Sequence, residues 1–391
     1  PSNLQTHRTM LRNYIKVAIR NMIRNKSFTG INVLGLSLSM AVSLVLIMLV
    51  ADQMSYDRYN TNFDNVYRIA YDNLNDDGMF SLMATCPPLL GTTLIDEYPG
   101  LETVARLRGG FGNHWIGVDN DINIPIGGFF ADPEVLEVFQ YDLEYGNPAT
   151  ALNEPRSVVL TPEARNKLFT IENPVGEVIK VGELGDFKVT GVLKDTPKKS
   201  HIKFEALASA STLKSLVADS LIRSDFNTWD DRWSAWTYIV LDKETDPSQI
   251  EGYIQQMAEK QYKDDEEYNL AFFLQGLDEI NPGPLMGNQI GPGMPVFIVY
   301  FLAGLCFLIM VSAGFNYANL SIARSLKRAR EVGIRKVSGA YRSQIFGQFI
   351  SEAVILSLIS LLVAFLFLQL LEPAFQNLNF SRLLHLGLSY D

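Results

Sequence analysis

Side chains that could hold a metal ion or act on a substrate are few and scattered. His114 and His201 lie far apart in the sequence and lack ligand-like neighbours, and the acidic run at 264–267 lacks the glycine and spacing of a calcium loop. The chain has no GxSxG, HExxH or GxxxxGK[ST] pattern. Cys86 lies in an acidic segment and Cys306 in an apolar run, so no disulfide or zinc framework is expected. We therefore expect no catalytic, cofactor-binding or metal-binding residue.

One cluster of charged residues and glycines has a spacing that suits docking against another protein. Glu331 and Arg335 are four residues apart, so they share a helical face and can pair. Gly333 and Gly339 permit close approach or a sharp bend, and the basic side chains could meet an acidic partner surface. The alternative is that these basic residues only fix membrane topology. The residues of this set are Arg330, Glu331, Gly333, Ile334, Arg335, Lys336, Gly339 and Ala340.

The chain contains three long uncharged runs, at 31–51, 295–323 and 353–371. The cluster lies between the second and third runs, and a long segment separates the first run from the second. A helix of about 20 residues spans roughly 30 Å, the thickness of a bilayer core. Buried core helices or a signal peptide are the alternatives. Basic residues on one side of each run, and the lack of a small-residue cleavage pattern after the first, favour membrane spans.

The charges are sorted along the chain, although the totals of 33 basic and 43 acidic residues look ordinary. Segments 1–29 and 321–344 are strongly basic, whereas 52–293 is strongly acidic. Because Lys and Arg collect on the cytoplasmic side of spans, both basic segments should be cytoplasmic and 52–293 external. Such sorting is typical of a membrane protein and does not suggest a nucleic-acid partner.

The N-terminal segment has basic and apolar side chains in adjacent stripes, each repeating every four residues. This pattern predicts an amphipathic helix in the headgroup region, with its basic residues toward anionic lipid. A merely solvated basic helix is the alternative. The basic residues at the membrane interface are Arg12, Lys16, Arg20 and Arg24, and the apolar ones are Leu11, Ile15, Ile19 and Ile23.

Short apolar runs alternate with turn signals in the acidic segment, which predicts a mixed α+β domain of two subdomains. The predicted strands cover 66–70, 104–107, 157–160, 178–181, 187–193 and 236–241. The predicted helices cover 88–98, 133–139, 162–169, 204–218 and 247–260.

The docking cluster also carries a family resemblance. Its sequence REVGIRKVSGA at 330–340, followed by QI at 344–345 and FISEA at 349–353, resembles the segment after the second span in MacB/FtsX-type ABC permeases. Further similarities are SYDRY at 55–59, with VYRI at 66–69, and NPVG at 173–176. VTGVLKD at 189–195 and Ser200-His201 also match.

The resemblance implies one span, a periplasmic α+β domain and three further spans, working as a dimer with two cytoplasmic ATPases. This chain shows three spans, so we expect an N-terminal half whose fourth span or second half lies beyond it. The resemblance assigns the 330–340 set to ATPase coupling. ATP and magnesium should bind the partner ATPase, because this chain lacks the phosphate loop.

The expected fold is therefore a transmembrane helical bundle with a mixed α+β periplasmic domain, in the bacterial inner membrane. Expected partners are a cytoplasmic ABC ATPase subunit, a second permease copy or half, membrane lipid and a periplasmic or outer-membrane protein. The expected function is to couple ATP hydrolysis to periplasmic motion that exports peptides, toxins or lipoproteins. One alternative is an FtsX-like or sensor-type regulator that transmits the ATPase state to a periplasmic hydrolase or signalling kinase without moving cargo. Another is an anchored sensor or binding module with no ATPase. The expected segments are 1–29 (interfacial helix), 30–51 (span 1), 52–293 (periplasmic domain), 294–320 (span 2), 321–348 (coupling segment), 349–371 (span 3) and 372–391 (external tail).

Overall fold

The computed structural model describes residues 2–377 except for 76–80, 99, 112–113, 118–123, 196–198, 224–225, 264–268, 292, 324 and 340. The acidic run at 264–267, Ala340 and the tail from 378 onward lie outside the described residues. The chain divides into two compact units. One contains residues 1–52 and 297–391, and the other contains residues 53–296.

The helices and strands are numbered in chain order. The helices are α1 (Ser2–Arg24), α2 (Lys26–Gln53), α3 (Pro88–Glu97), α4 (Glu134–Val138), α5 (Pro162–Leu168), α6 (Leu213–Ala218), α7 (Pro247–Gln261), α8 (Leu277–Ile280), α9 (Val296–Ala323), α10 (Ser325–Val337) and α11 (Arg342–Asn377). The strands are β1 (Val66–Asn73), β2 (Leu82–Met83), β3 (Leu101–Arg108), β4 (His114–Gly117), β5 (Ile124–Ile126), β6 (Gly128–Ala131), β7 (Leu143–Gly146), β8 (Ser157–Leu160), β9 (Val178–Val181), β10 (Gly185–Leu193), β11 (Ala206–Ser209), β12 (Ala235–Leu241) and β13 (Leu270–Gly276).

Helices α2, α9 and α11 are the described helices that are long and apolar enough to cross a membrane. Their surfaces are apolar on most sides, as expected where lipid replaces water as the surrounding solvent. The prediction of three spans is therefore confirmed.

Helix α1 packs against the first half of α11 within the same unit. Ala18 and Met22 are buried there, and Tyr14 lies beside Gly347. The Asn21 side-chain amide donates a hydrogen bond to the Glu352 carboxylate, and Glu352 is only 7% exposed. This pair fixes the register of α1 along α11.

Residues 53–296, the unit predicted to lie outside the membrane, which we call the ectodomain, contain a sheet of thirteen strands among the described residues. Eleven follow the order β13-β1-β12-β3-β6-β11-β8-β10-β9-β4-β5, with β2 beside β1 and β7 beside β10. Two neighbouring pairs, β6 with β11 and β8 with β10, are parallel. The mixed α+β prediction is confirmed, since this unit contains both the sheet and helices that connect some of its strands.

The central strands are buried on both faces, and alternate residues enter different cores because side chains alternate across a strand. Leu207 of β11 joins the core that contains α4, whereas Ala206 and Ala208 join the core that contains α6. Helices α4 and α6 therefore cover opposite faces of the sheet.

The helix predicted at 204–218 is wrong in its first half. Residues Ala206–Ser209 form β11, paired with β6 on one side and β8 on the other, and a helical turn starts only afterward. All four strand residues are buried, so the run lacks the polar face that an amphipathic helix would show. At the helix start predicted after Thr161, the threonine hydroxyl accepts a hydrogen bond from the backbone N–H of Ala164.

Candidate docking site

Helix α10, between two of the apolar spanning helices, carries six of the eight residues of the predicted docking set, from Arg330 to Lys336, whereas Gly339 follows the helix and Ala340 lies outside the described residues. It ends at Val337, where the backbone N–H of Ser338 donates to the Ile334 carbonyl and that of Gly339 donates to the Lys336 carbonyl. Gly339 has φ 87°, a left-handed conformation that glycine adopts without a Cβ penalty. This glycine is explained by the helix end.

Gly333 requires a different explanation, because it lies inside α10 rather than at its end. A Cβ built at this position would meet no atom within 4 Å. Nothing described in this chain therefore needs the glycine, which costs a helix interior about 1 kcal/mol relative to alanine.

The surface around Gly333 is apolar and uncovered by the described chain. Ile334 is 63% exposed, Val337 91% and Tyr341 74%. Ile334 and Val337 are three residues apart, and Gly333 and Val337 four, so these side chains lie on one side of the helix. Together, Gly333, Ile334 and Val337 form what we call the α10 face, and the exposed Tyr341 follows the end of the helix.

Basic residues border the α10 face. Arg330 and Lys336 are exposed. The side chains of Glu331 and Arg335 lie outside what the structure describes, so their pairing remains a prediction. An apolar centre with a charged rim is the usual anatomy of a protein interface. No group of three metal-ligating residues is found among the described residues.

The predicted lipid-facing residues lie on α1. Lys16, Arg20 and Arg24 are exposed, whereas only the helical backbone of Arg12 is described. Ile15, Ile19 and Ile23 of the apolar stripe are also exposed. A different face, including Ala18 and Met22, is buried within the chain.

Sequence reasoning missed the contact between Asn21 and Glu352. The available signal was a carboxylate at the edge of an apolar run together with an asparagine in the N-terminal helix. Within α11, Glu352 is a helix-interior residue rather than a boundary, because the helix begins at Arg342.

The ectodomain brings together two segments that carried the family resemblance. Asp57 Oδ1 accepts a hydrogen bond from Ser200 Oγ at 2.8 Å, and Asp57 Oδ2 lies 2.7 Å from His201 Nδ1. On its other side, His201 Nε2 lies 2.7 Å from Tyr238 Oη. Asp57, Ser200, His201 and Tyr238 form what we call the Asp57 cluster.

The Asp57 cluster is buried and internally satisfied. Burial would raise the pKa of Asp57, but the charge and hydrogen bonds of His201, together with the Ser200 hydrogen bond, outweigh it and hold the pKa below its usual value. Asp57 has φ 57°, a conformation that aspartate tolerates better than most residues. The cluster ties Asp57 to the distant segments of Ser200, His201 and Tyr238, and so helps to hold the fold.

Asn281 joins the two ends of the ectodomain chain. Its amide nitrogen lies 3.3 Å from the backbone carbonyl of Gln53, where the ectodomain starts. Its side-chain oxygen accepts a 2.8 Å hydrogen bond from the backbone N–H of Met294, where the ectodomain ends. Backbone hydrogen bonds between Gly283 and residues 294 and 296 reinforce this connection. The two ends of the ectodomain, which continue into the apolar helices α2 and α9, are therefore linked by hydrogen bonds to the same asparagine.

Two protein-family models match most of the chain. A family model described as the MacB-like periplasmic core domain matches residues 29–257, and one described as the FtsX-like permease C-terminal matches residues 303–390. The first alone covers more than half of the chain.

Curated relatives agree with these matches. The macrolide export ATP-binding/permease protein MacB 1 of Yersinia pestis bv. Antiqua is 25% identical over 374 residues, covering 89% of this chain and 50% of the relative. The uncharacterized ABC transporter permease YknZ of Bacillus subtilis is 26% identical over 209 residues, covering 52% of this chain and 46% of the relative. The chain thus spans about half the length of the curated relatives it matches.

Among solved structures, the periplasmic region of MacB from Actinobacillus actinomycetemcomitans matches with 16% identity and a TM-score of 0.40. That match covers 56% of this chain and 91% of the solved one.

Proposed function

Because this chain belongs to the MacB/FtsX-type ABC transporter permeases, we propose that it couples a partner ATPase to motion of its periplasmic-type domain. The α10 face is the docking surface for the cytoplasmic ATPase, which binds ATP and magnesium. The chain itself has no phosphate-loop sequence with which to hold a nucleotide. It lies in the bacterial inner membrane, with residues 53–296 on the periplasmic side.

The observation that carries this proposal is the α10 face. An exposed helix with a glycine in its interior and two exposed apolar side chains, Ile334 and Val337, is costly unless a partner covers it. The absent Cβ at Gly333 lets another backbone approach closely. Arg330 and Lys336 at the rim would steer and orient an acidic partner surface.

The transmission step follows from the connections within each unit. Helices α9 and α11 flank α10 in sequence, so movement of a docked α10 acts on both spans. The ectodomain receives this movement at Gln53 and Met294, which Asn281 holds together. Because the two chain connections are linked to each other, their movement would shift the ectodomain as one body. Connections that moved independently would instead distort the ectodomain near its two ends.

The proposed outcome of this motion is export of peptides, toxins or lipoproteins handled on the periplasmic side. The Yersinia pestis relative is named a macrolide export protein, which supports an export role. A second copy or half of the permease would complete the membrane assembly.

A tryptophan at position 333 tests the proposal. Gly333→Trp should fill the open space beside the helix and block a close-approaching partner, with little effect on the fold, since no atom lies within 4 Å of a Cβ there. The matched control is Gly252→Trp, which also places a tryptophan at an open, helix-interior glycine, but in α7 of the ectodomain.

The measurement is recovery of an ABC ATPase with the tagged full chain from detergent-solubilised membranes, followed by ATP turnover of the complex. Gly333→Trp should lose the ATPase or uncouple its turnover, while Gly252→Trp should behave like the parent. Equal recovery and turnover for parent and Gly333→Trp would reject the docking role of α10.

A further inference from the structure

The ectodomain has a topological switch point at the ends of two parallel strands. Strands β6 and β11 are paired in parallel, with Ala131 beside Ser209 at their carboxyl ends. The helices that follow them, α4 and α6, leave to opposite faces of the sheet. In sheets with parallel strands, this divergence opens a crevice beyond the carboxyl ends, the usual place for a ligand.

A cavity of about 390 Å³ lies at this position. Its size falls in the range of small-molecule sites, roughly 300–1,000 Å³. Buried Leu152, Leu213 and Phe226 form its base, and the more accessible Pro133 and Ala210 line its walls. Polar side chains at the mouth, including Asn153 and Ser211, are exposed.

One wall of the cavity is a satisfied ion pair. Arg106 Nε lies 2.7 Å from Asp132 Oδ2, and each side chain is 12% exposed. A second guanidinium nitrogen donates to the Pro88 carbonyl at 3.2 Å, and the guanidinium lies 4.3 Å from the ring centre of Phe226. Because these charges neutralise each other, the pair is a rigid, neutral wall.

Lys214 supplies the remaining charge of the cavity. It extends from α6, is exposed, and forms no ion pair with any described residue. The surrounding domain is strongly acidic, and Lys214 is the lysine that lines this cavity. The cavity therefore combines an apolar base with one available cation.

We propose that this cavity binds a small amphipathic carboxylate, such as an apolar amino acid with a blocked amine or the carboxyl end of a short peptide. The apolar group packs against Leu152, Leu213 and Phe226, and the carboxylate meets Lys214 at the mouth. This inference is independent of the docking role of α10. It identifies a ligand site in the ectodomain to which the proposed function assigns no residue.

The test uses two probes with the same apolar side chain, the carboxylate N-acetyl-L-leucine and the uncharged amide N-acetyl-L-leucinamide. Binding of each radiolabelled probe to the detergent-solubilised full chain is measured by equilibrium dialysis, with empty micelles subtracted. The carboxylate should bind saturably, and the amide should bind about fivefold more weakly, the scale of one partly exposed ion pair.

Three variants locate the binding. Lys214→Glu should weaken binding of the carboxylate by at least about fivefold and leave the amide nearly unchanged. Ala210→Phe should abolish binding of both probes by filling the cavity. Lys243→Glu, which changes an exposed lysine that does not line the cavity, should bind both like the parent.

Absence of saturable carboxylate binding to the parent would overturn the proposal. Equal binding of both probes would overturn the role of Lys214. Binding that survives both Lys214→Glu and Ala210→Phe would place the probe elsewhere and reject this cavity.

Discussion

The α10 face and the Asp57 cluster both contain residues of the segments that resemble the family, but they differ in burial and in their contacts within the chain. The Asp57 cluster is buried, and each of its polar side chains has a partner at hydrogen-bond distance. The α10 face is exposed, and its glycine faces open space. Polar residues that are hydrogen-bonded to one another inside the chain, as in the Asp57 cluster, maintain the fold. An exposed glycine and exposed apolar side chains that the described chain leaves uncovered, as on the α10 face, are explained by a partner outside it.

Replacing Asp57 should have the largest effect on stability. Asp57→Asn removes the charge that pairs with His201 and should destabilise the ectodomain by about 1.5–3 kcal/mol, the contribution of hydrogen bonds to a charged group. Hydrogen exchange of the detergent-solubilised chain should show faster exchange at residues 200–202 and in β12.

The control is Asp64→Asn, which alters an exposed aspartate near the start of β1. Its exchange should match that of the parent. If Asp57→Asn also matches the parent, the Asp57 cluster contributes nothing to the fold and the contrast with the α10 face disappears.

The contribution of the Asp57 cluster to the stability of the ectodomain should depend on pH in the acid range. Because the pKa of folded Asp57 lies below its ordinary value of 3.8, its stabilisation is present above pH 3.8 and lost as pH falls through the folded pKa. Burial raises the pKa of Asp132, although Arg106 opposes the shift, so its contribution has the opposite sign and favours folding as pH falls.

Hydrogen exchange between pH 5 and pH 2 separates the two carboxylates. Asp57→Asn should flatten the acid-induced loss of protection, and Asp132→Asn should steepen it. The same slope in the parent and Asp57→Asn would contradict the depressed pKa.

A smaller effect is expected on the α10 face, where nothing in the chain uses the glycine. Gly333→Ala should stabilise the helix by about 1 kcal/mol, because a Cβ meets no atom and alanine favours helix. Amide exchange across α10 should slow by about fivefold in the isolated permease. Faster exchange would show that Gly333 supports the fold, which would weaken the case for an external partner.

The sequence predicted elements best where patterns are local and continuous. Spans α2, α9 and α11 were predictable because long uncharged runs have few other uses in a chain with basic flanks. The helix start at Pro162 was predictable from Thr161 and the proline that follows it. Strand β11 was not, because its identity depends on pairing with β6 and β8 from distant parts of the chain.

The candidate sites show the same division. Residues of the α10 face lie in one short segment, so their spacing could be read directly from the sequence. The Asp57 cluster joins residues separated by more than a third of the chain, as does the contact between Asn21 and Glu352. Both residues of each pair can be seen in the sequence, but their contact could not be predicted, because it arises from tertiary packing.

Photocrosslinking from the α10 face tests the central claim most directly. A photoreactive phenylalanine analogue at Val337, the most exposed apolar residue of the face, should crosslink to an ABC ATPase in intact cells. The same analogue at Leu74, an exposed apolar residue of the ectodomain, should not. A crosslink to the ATPase from position 337 alone is the predicted result. No ATPase crosslink from position 337 at normal expression, or an equal one from position 74, would contradict docking at α10.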